Sequence, residues 1–405
     1  MAIQKKLFSL ILSMSILLSV ASCSKKLADE TVPSTTASVP VETVAETEPV
    51  AETTEAAPTP TEIVVGPNST AVVTDKAVEK YGKLYVEGTH LMSSVTGEPV
   101  QLRGMSTYGL YMCTNFFNVD TIQTLTEDWG CQVIRIAMYT EGTSDGYIKN
   151  PEKYYNQACQ ITDMCIDAGV YVIMDWHILA DGDPNKYKAE AIDFFQRYTA
   201  IYGEYDNIIY EVCNEPNGDC ICNPGDKVNW DNCIKPYNEE LIDVIRAKDP
   251  DNVIICGTST WSHDVDIASM NPIEGEENIM YTFHFYAGSS GQESRDRVQA
   301  AMDNGLPVFC TEWGTTYDSG NGGPCIEESN AWMDFFYDNQ ISWCNWSIGG
   351  AAAESSNALL YMSNFLTIEE KLAGHWPDVF ISPSGLYARA QILRELSPDF
   401  EGYYN

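Results

Sequence analysis

Eight short apolar runs, rich in β-branched residues, recur between residues 100 and 347, separated by segments of helical character. They are Val100–Ser106, Val133–Tyr139, Tyr171–His177, Ile208–Glu215, Val253–Gly257, Ile279–Tyr286, Pro307–Trp313 and Ile341–Ser347. Between them, Glu152–Ala168, Ala189–Tyr202, Pro236–Ala247, Arg295–Asn304 and Glu327–Asn339 carry apolar residues at helical spacing, with Gly169, Gly203 and Gly305 near their ends as stop signals. Strands that are apolar nearly throughout must be covered on both faces, and alternation with helices supplies that cover in a parallel sheet. An open doubly wound sheet rarely needs eight strands and calls for a glycine-rich phosphate loop, which is not found here. The predicted fold class is therefore α/β: a (β/α)8 TIM barrel forming a single catalytic domain.

The polar residues fall at one place in this pattern. Run after run stays apolar until its carboxyl end and then delivers Arg135 and Tyr139, Asp175-Trp176-His177, Asn214-Glu215, His284 and Tyr286, Glu312-Trp313 and Asn345-Trp346. Active sites of such barrels sit at that end. Taken singly, a strand-end Glu is more often a solvated rim residue and a Trp is more often core. Their joint occurrence at matching ends of different strands is what points to chemistry.

Glu215 and Glu312 close the fourth and seventh runs, which lie on opposite sides of a barrel mouth. Two carboxyl groups facing each other are what glycoside hydrolysis requires: one protonates the leaving oxygen, the other attacks the anomeric carbon or activates water. A separation of about 5 Å implies retention through a covalent glycosyl-enzyme. The acid must stay protonated and the nucleophile ionised, so their surroundings must push the two pKa values apart. Arg135 is expected to hold the nucleophile anionic, His284 to orient Glu215 and Tyr286 to donate to Glu312. Asn214 and His177 are expected to meet sugar hydroxyls and Trp346 to stack on a pyranose, with Tyr108, Tyr139, Trp176 and Trp313 as further candidate contacts. Acid–base chemistry of this kind needs no metal and no organic cofactor.

The segments Leu102-Arg-Gly-Met-Ser-Thr, Val133-Ile-Arg-Ile-Ala-Met-Tyr-Thr, Asp175-Trp-His-Ile-Leu, Val212-Cys-Asn-Glu-Pro-Asn, His284-Phe-Tyr-Ala, Thr311-Glu-Trp-Gly and Trp343-Cys-Asn-Trp-Ser resemble bacterial endoglucanases of glycoside hydrolase family 5. The resemblance spans about residues 75–395. It implies a retaining endo-β-1,4-glucanase acting on cellulose or related β-glucans, with Glu215 as acid/base and Glu312 as nucleophile. It likewise carries over Arg135, His177, Asn214, His284, Tyr286 and Trp346 as active-site positions. The chain departs from the pattern at Tyr108 and Met112, where such enzymes commonly carry His and Trp, and in the run Gly349-Gly-Ala-Ala-Ala-Glu, where they often carry Lys. Asp219–Lys227 looks like an insertion directly after the acid/base strand. The same mechanism on mixed-linkage β-glucan, xyloglucan or (gluco)mannan is the alternative within this fold, and a surface lipoprotein that binds glycan without cutting it is the alternative outside enzymology.

The remaining expectations concern the amino terminus, charge and cysteines. Lys5 and Lys6 precede an apolar run from Leu7 to Val20 that is too short to span a membrane and reads as an export signal. Val20-Ala21-Ser22-Cys23 resembles the bacterial lipobox, which implies cleavage after residue 22 and a lipid anchor on Cys23 at a bacterial membrane, with the catalytic domain outside the cell. Residues 23–70 read as a Thr/Pro/Glu-rich disordered linker and 71–405 as the catalytic domain, with no further module expected. A formal charge of −35 disfavours nucleic acid as a partner; the expected partner is a β-glucan, and the expected state is a monomer. Besides Cys23 there are twelve cysteines among thirteen in all. Cys213, Cys256, Cys310 and Cys344 lie in apolar runs as buried small hydrophobes, whereas Cys220, Cys222, Cys233 and Cys325 sit in polar loops as disulfide candidates.

Overall fold

The computed structural model describes residues 76–350, 355–359 and 376–394. The expected signal (1–22), Cys23 and the linker to residue 70 lie outside the described residues. Two short strands, β1 (Leu84–Glu87) and β2 (His90–Ser93), pair as an antiparallel hairpin. Eight more follow: β3 (Arg103–Thr107), β4 (Val133–Tyr139), β5 (Tyr171–His177), β6 (Ile208–Glu211), β7 (Ile254–Cys256), β8 (Ile279–Tyr286), β9 (Val308–Gly314) and β10 (Trp343–Ile348). They close a parallel barrel in chain order, with β10 returning to β3. Each falls within or against one of the eight runs read from the sequence. The fourth is shorter than expected, ending at Glu211 four residues before Glu215.

Side-chain alternation along the strands separates two cores. Val133, Tyr171, Ile173, Ile209, Ile255, Met280, Phe309 and Cys344 pack inside the barrel, while the intervening Ile134, Val172, Met174, Ile208, Ile254, Val308 and Cys310 pack outward against the helical layer. Gly104 marks a place where alternation needs a glycine: a Cβ there would stand 1.7 Å from the carbonyl oxygen of Val133, so only glycine lets β3 lie against β4.

The helices Pro151–Ala168, Lys188–Tyr202, Lys235–Arg246, Gln292–Asp303 and Ile326–Asp338 cover the barrel. The first shows how sequence sets both ends: Pro151 needs no hydrogen-bond partner at the first turn, and Gly169 terminates it at a φ of 72°. The hairpin and the residues before it close the amino-terminal end of the barrel. Val78 N–H donates to Gly169 O, Val86 N–H to Asn278 Oδ1 and the Tyr171 hydroxyl to Gly82 O, all at points where strands begin. Ala77, Leu84 and Leu91 join the inner core there.

Of the four loop cysteines, Cys220 and Cys233 form a disulfide across the segment after β6. Cys222 and Cys325 are free, which corrects the expectation for those two: Cys222 sits exposed within the same loop, and Cys325 precedes a helix on the segment after β9. Cys213, Cys256, Cys310 and Cys344 are buried thiols.

Candidate active site

The carboxyl ends of the strands converge on one guanidinium. Arg135 points inward from β4, fully buried, and donates from Nε to Glu211 Oε2 (2.7 Å), from Nη1 to Glu312 Oε2 (3.1 Å), and from Nη2 to Glu211 Oε1 (3.1 Å) and Asn214 Oδ1 (2.6 Å). Its Nη2 also lies 3.0 Å from Asp175 Oδ2. Burial pulls the guanidinium toward neutrality, but Asp175, Glu211 and Glu312 overcome it and raise its pKa well above the ordinary value.

Glu215 and Glu312 approach each other beside this cation. Oxygens of the two carboxyl groups and a ring nitrogen of His284 all lie within 4.8 Å of one another. Glu312 comes from β9, whose register against β8 shifts between Thr282 and His284, so that consecutive residues Thr311 and Glu312 both serve the interior. Glu312 accepts from the Tyr286 hydroxyl (2.8 Å) on one oxygen and from Arg135 on the other. Among the described residues, Glu215 has a single polar side-chain neighbour at hydrogen-bond distance, His284 Nδ1 at 2.9 Å.

That asymmetry sets the charges. Burial pushes the Glu215 carboxyl up to about 8, with Arg135 opposing and Asp175 and Glu211 adding to it. Burial and the neighbouring Glu215 also raise Glu312, but His284, Arg135 and His177 pull it back. Two adjacent carboxyls under one cation share a proton. It resides on Glu215, because Glu312 is the one that receives two donors, one of them charged. Burial brings His284 down to about 3, so its ring is neutral.

Above this polar layer lies an aromatic wall. His177 stacks on Tyr139 at 4.1 Å and on Trp346 at 5.3 Å between ring centroids, and Tyr108 meets Trp346 at 5.4 Å. His177 is fixed by Nδ1 against Asp175 Oδ2 (2.6 Å) and by Asn214 Nδ2 near its Nε2 (3.3 Å). Arg135, Asn214, Glu215, His177, His284, Tyr286, Glu312, Trp346, Tyr108 and Tyr139 are thus gathered at one end of the barrel.

Trp176 and Trp313 are not among them. Both are fully buried on the outer side of their strands, Trp176 against Tyr147 and Phe194, Trp313 against Phe285, Trp343 and Tyr387. Each follows an inward carboxyl-bearing residue by one position, and the period of two turns it toward the helices; the expectation of a sugar contact is corrected for both.

The structure adds residues that the sequence reading did not assign. Glu211 and Thr311 lie in the polar layer, and the only sequence cue to Glu211 was a charge set in an otherwise apolar run, which must be paired if buried. Trp261, 47% exposed, follows β7, in a segment where Thr260, Trp261 and Ser262 all have positive φ. Its backbone N–H donates to Pro216 O (3.1 Å) and the Ser262 hydroxyl to Asn214 O (2.6 Å), which clasps the segment bearing Glu215.

Two groups among the described residues have ligand atoms close enough for a metal: Glu215, His284 and Glu312, and Asp183 with Cys220 and Cys233. The sulfurs of the second are spent in the disulfide. In the first, the direct contact of His284 with Glu215 occupies the place a cation would take.

Comparison with known proteins gives a consistent result. Residues 93–352 match the family model described as cellulase (glycosyl hydrolase family 5). The chain is 47% identical over 311 residues to an endoglucanase of Clostridium saccharobutylicum, covering 77% of this chain and 65% of that protein. It is 46% identical over 301 residues to endoglucanase A of Evansella cellulosilytica, covering 74% of this chain and 58% of that one. The chain therefore spans roughly three-fifths of the length of these relatives. Among solved structures, a variant catalytic domain of a Thermobifida fusca endoglucanase in complex with cellotetraose superimposes with a TM-score of 0.70 at 34% identity, covering 78% of this chain and 99% of that domain.

Proposed function

This chain belongs to the cellulase family, glycosyl hydrolase family 5, and we propose that it is a retaining endo-β-1,4-glucanase acting on cellulose or a related β-glucan. The observation that carries the reading is the approach of Glu215 and Glu312 to within 4.8 Å, the spacing of a nucleophile and an acid/base and too close for a water to work between them. Glu215 donates its proton to the glycosidic oxygen as the bond to the anomeric carbon breaks, and Glu312 attacks that carbon to form a glycosyl ester. Water then gives a proton to the Glu215 carboxylate, attacks the same carbon and releases Glu312. Arg135 and Tyr286 keep Glu312 ionised, and His284 orients Glu215. Asn214 and His177 line the floor beside the two carboxyls, where a sugar hydroxyl would have to share the polar atoms that Arg135, Asp175 and Ile178 O already engage, and the wall of Tyr108, Tyr139 and Trp346 gives a pyranose an apolar face. The half-exposed Trp261 adds an aromatic surface on the Glu215 side. The glucan assignment draws on the relatives named as endoglucanases and on the cellotetraose complex of the neighbouring structure.

The test is reducing-sugar release from carboxymethylcellulose, barley β-glucan, xyloglucan and mannan, side by side with Glu312→Gln. Release from the first two that is abolished in the variant supports the reading. Activity confined to xyloglucan or mannan moves the substrate, and a folded wild type that cuts nothing overturns the enzyme in favour of glycan binding. We further propose that Cys23 carries the lipid anchor, on the strength of the Val20-Ala21-Ser22-Cys23 segment; Cys23→Ser should shift the protein from the membrane fraction to the medium, and an unchanged distribution would refute it.

A further inference from the structure

Glu215 is one end of a buried line of hydrogen bonds that runs inward to Arg135. His284 Nδ1 is 2.9 Å from Glu215 Oε1, and His284 Nε2 is 2.9 Å from Thr311 Oγ1. The Thr311 hydroxyl donates to Glu211 Oε1 at 2.7 Å. Glu211 is in turn gripped by Arg135 through Nε and Nη2. Glu211, His284 and Thr311 are all buried.

Each member of the line has few places for its protons, and they can be assigned in order from the fixed end. Burial and Asp175 push the Glu211 carboxyl up, with Arg135 opposing; because Arg135 cannot give up a proton and donates to both Glu211 oxygens, Glu211 accepts from it as a carboxylate. Thr311 has one hydroxyl proton and two acceptors within reach, the anionic Glu211 oxygen and the Thr282 hydroxyl; the carboxylate takes it, and the Thr282 hydroxyl donates to Thr311 in turn. Toward His284, Thr311 then has only a lone pair to offer, which requires the ring proton to sit on Nε2. A neutral ring protonated on Nε2 has a bare Nδ1 that can only accept. The proton between Nδ1 and Glu215 Oε1 must therefore come from Glu215.

We propose that Glu211 and Thr311 are positioning residues that fix the Nε2–H tautomer of His284 and thereby keep the acid proton on Glu215. This rests on Glu215 being the acid. It also accounts for the second half of the reaction: once Glu215 has released its proton, its carboxylate faces a lone pair in place of a donor, and it is a stronger base toward water. The other charged or titratable groups facing Glu215 are Arg135, Asp175, Glu211 and Glu312, and those facing His284 are Glu211, Glu312, Arg135 and His263. None of them donates to Nδ1 among the hydrogen bonds of the described residues.

The test compares wild type, Thr311→Val and Thr311→Ser by nitrogen NMR of histidine-labelled protein and by the pH profile of kcat/KM. The chain has five histidines, so the His284 signals can be assigned with one His284→Gln control. Wild type should show His284 protonated at Nε2 at neutral pH. Thr311→Val, which removes the acceptor, should move the proton toward Nδ1 and lower the alkaline limb by about one pH unit, because a donor to Glu215 favours its ionised form; Thr311→Ser should restore both. A wild-type ring protonated at Nδ1, or a Thr311→Val that leaves tautomer and limb unmoved, overturns the proposal. If Thr311→Val fails to fold, Thr311→Ala supplies the same comparison, and a wild-type ring protonated at Nδ1 overturns the proposal in either case. The spectra are read equally if no glycan is cut, an outcome that would refute the enzyme reading separately.

Discussion

Glu215 holds its proton at a cost that should be measurable as stability. Its folded pKa, about 8, lies above the ordinary carboxylate value because of burial first and the carboxyls of Asp175 and Glu211 second. Between pH ~4.5 and ~8 the folded state binds a proton that the unfolded state has released, so ionisation of the unfolded chain draws the equilibrium away from the fold as pH rises through that window. Glu215→Gln has no such proton. Its Tm should gain on wild type progressively from about pH 5 to 8 and the difference should level off above, as read by thermal melts in matched buffers; a constant difference would mean the carboxyl is not held neutral. Activity of the wild type should fall along an alkaline limb near pH 8. Much of this site was legible in the sequence because strand-end position selects for the mouth of the barrel: Arg135, His177, Asn214, His284, Tyr286, Trp346 and both glutamates are gathered there. Glu211 and Thr311 were not legible. One lies inside an apolar run and the other next to Glu312, and only the register shift of β9 turns both Thr311 and Glu312 inward.

Along a strand, alternation decides whether a tryptophan serves the core or the cleft. Trp176 and Trp346 make the contrast, since both stand near strand ends and both are buried, yet one packs on helix residue Phe194 and the other on His177. Trp176→Ala should lower stability by about 3–5 kcal/mol with little change in KM for the protein that remains folded. Trp346→Ala should cost about 2 kcal/mol of transition-state binding, a loss of roughly 30-fold in kcat/KM, with a smaller effect on Tm. Chemical melts with parallel kinetics separate the two, and equal effects would place both residues in the core. The strands and five long helices were legible because their periods of two and 3.6 run over many residues. The disulfide pairing was not, since spacing alone leaves several connectivities open. Cys220–Cys233 closes a loop of 13 residues' separation, for which chain entropy suggests about 3 kcal/mol. Replacing both cysteines by serine should lower the unfolding midpoint accordingly, and reductant should then have no further effect on the midpoint of that variant.

Across the whole chain, 58 acidic residues against 23 basic ones give a net charge of −35. A polyanionic substrate must approach against that field, and a neutral one need not. KM for carboxymethylcellulose should therefore fall as salt rises from about 10 to 150 mM, where the screening length drops from about 30 to 8 Å, while KM for barley β-glucan stays level; equal salt responses would remove long-range repulsion as a factor. The hairpin of β1 and β2 carries a different consequence. With Leu84 and Leu91 seated in the inner core and their backbone tied to the starts of the strands, the barrel is a cup with one rim. Ile173, Ile209, Ile255, Met280 and Phe309 fill the barrel below that rim, so whatever meets Glu215 and Glu312 must arrive and leave by the same side.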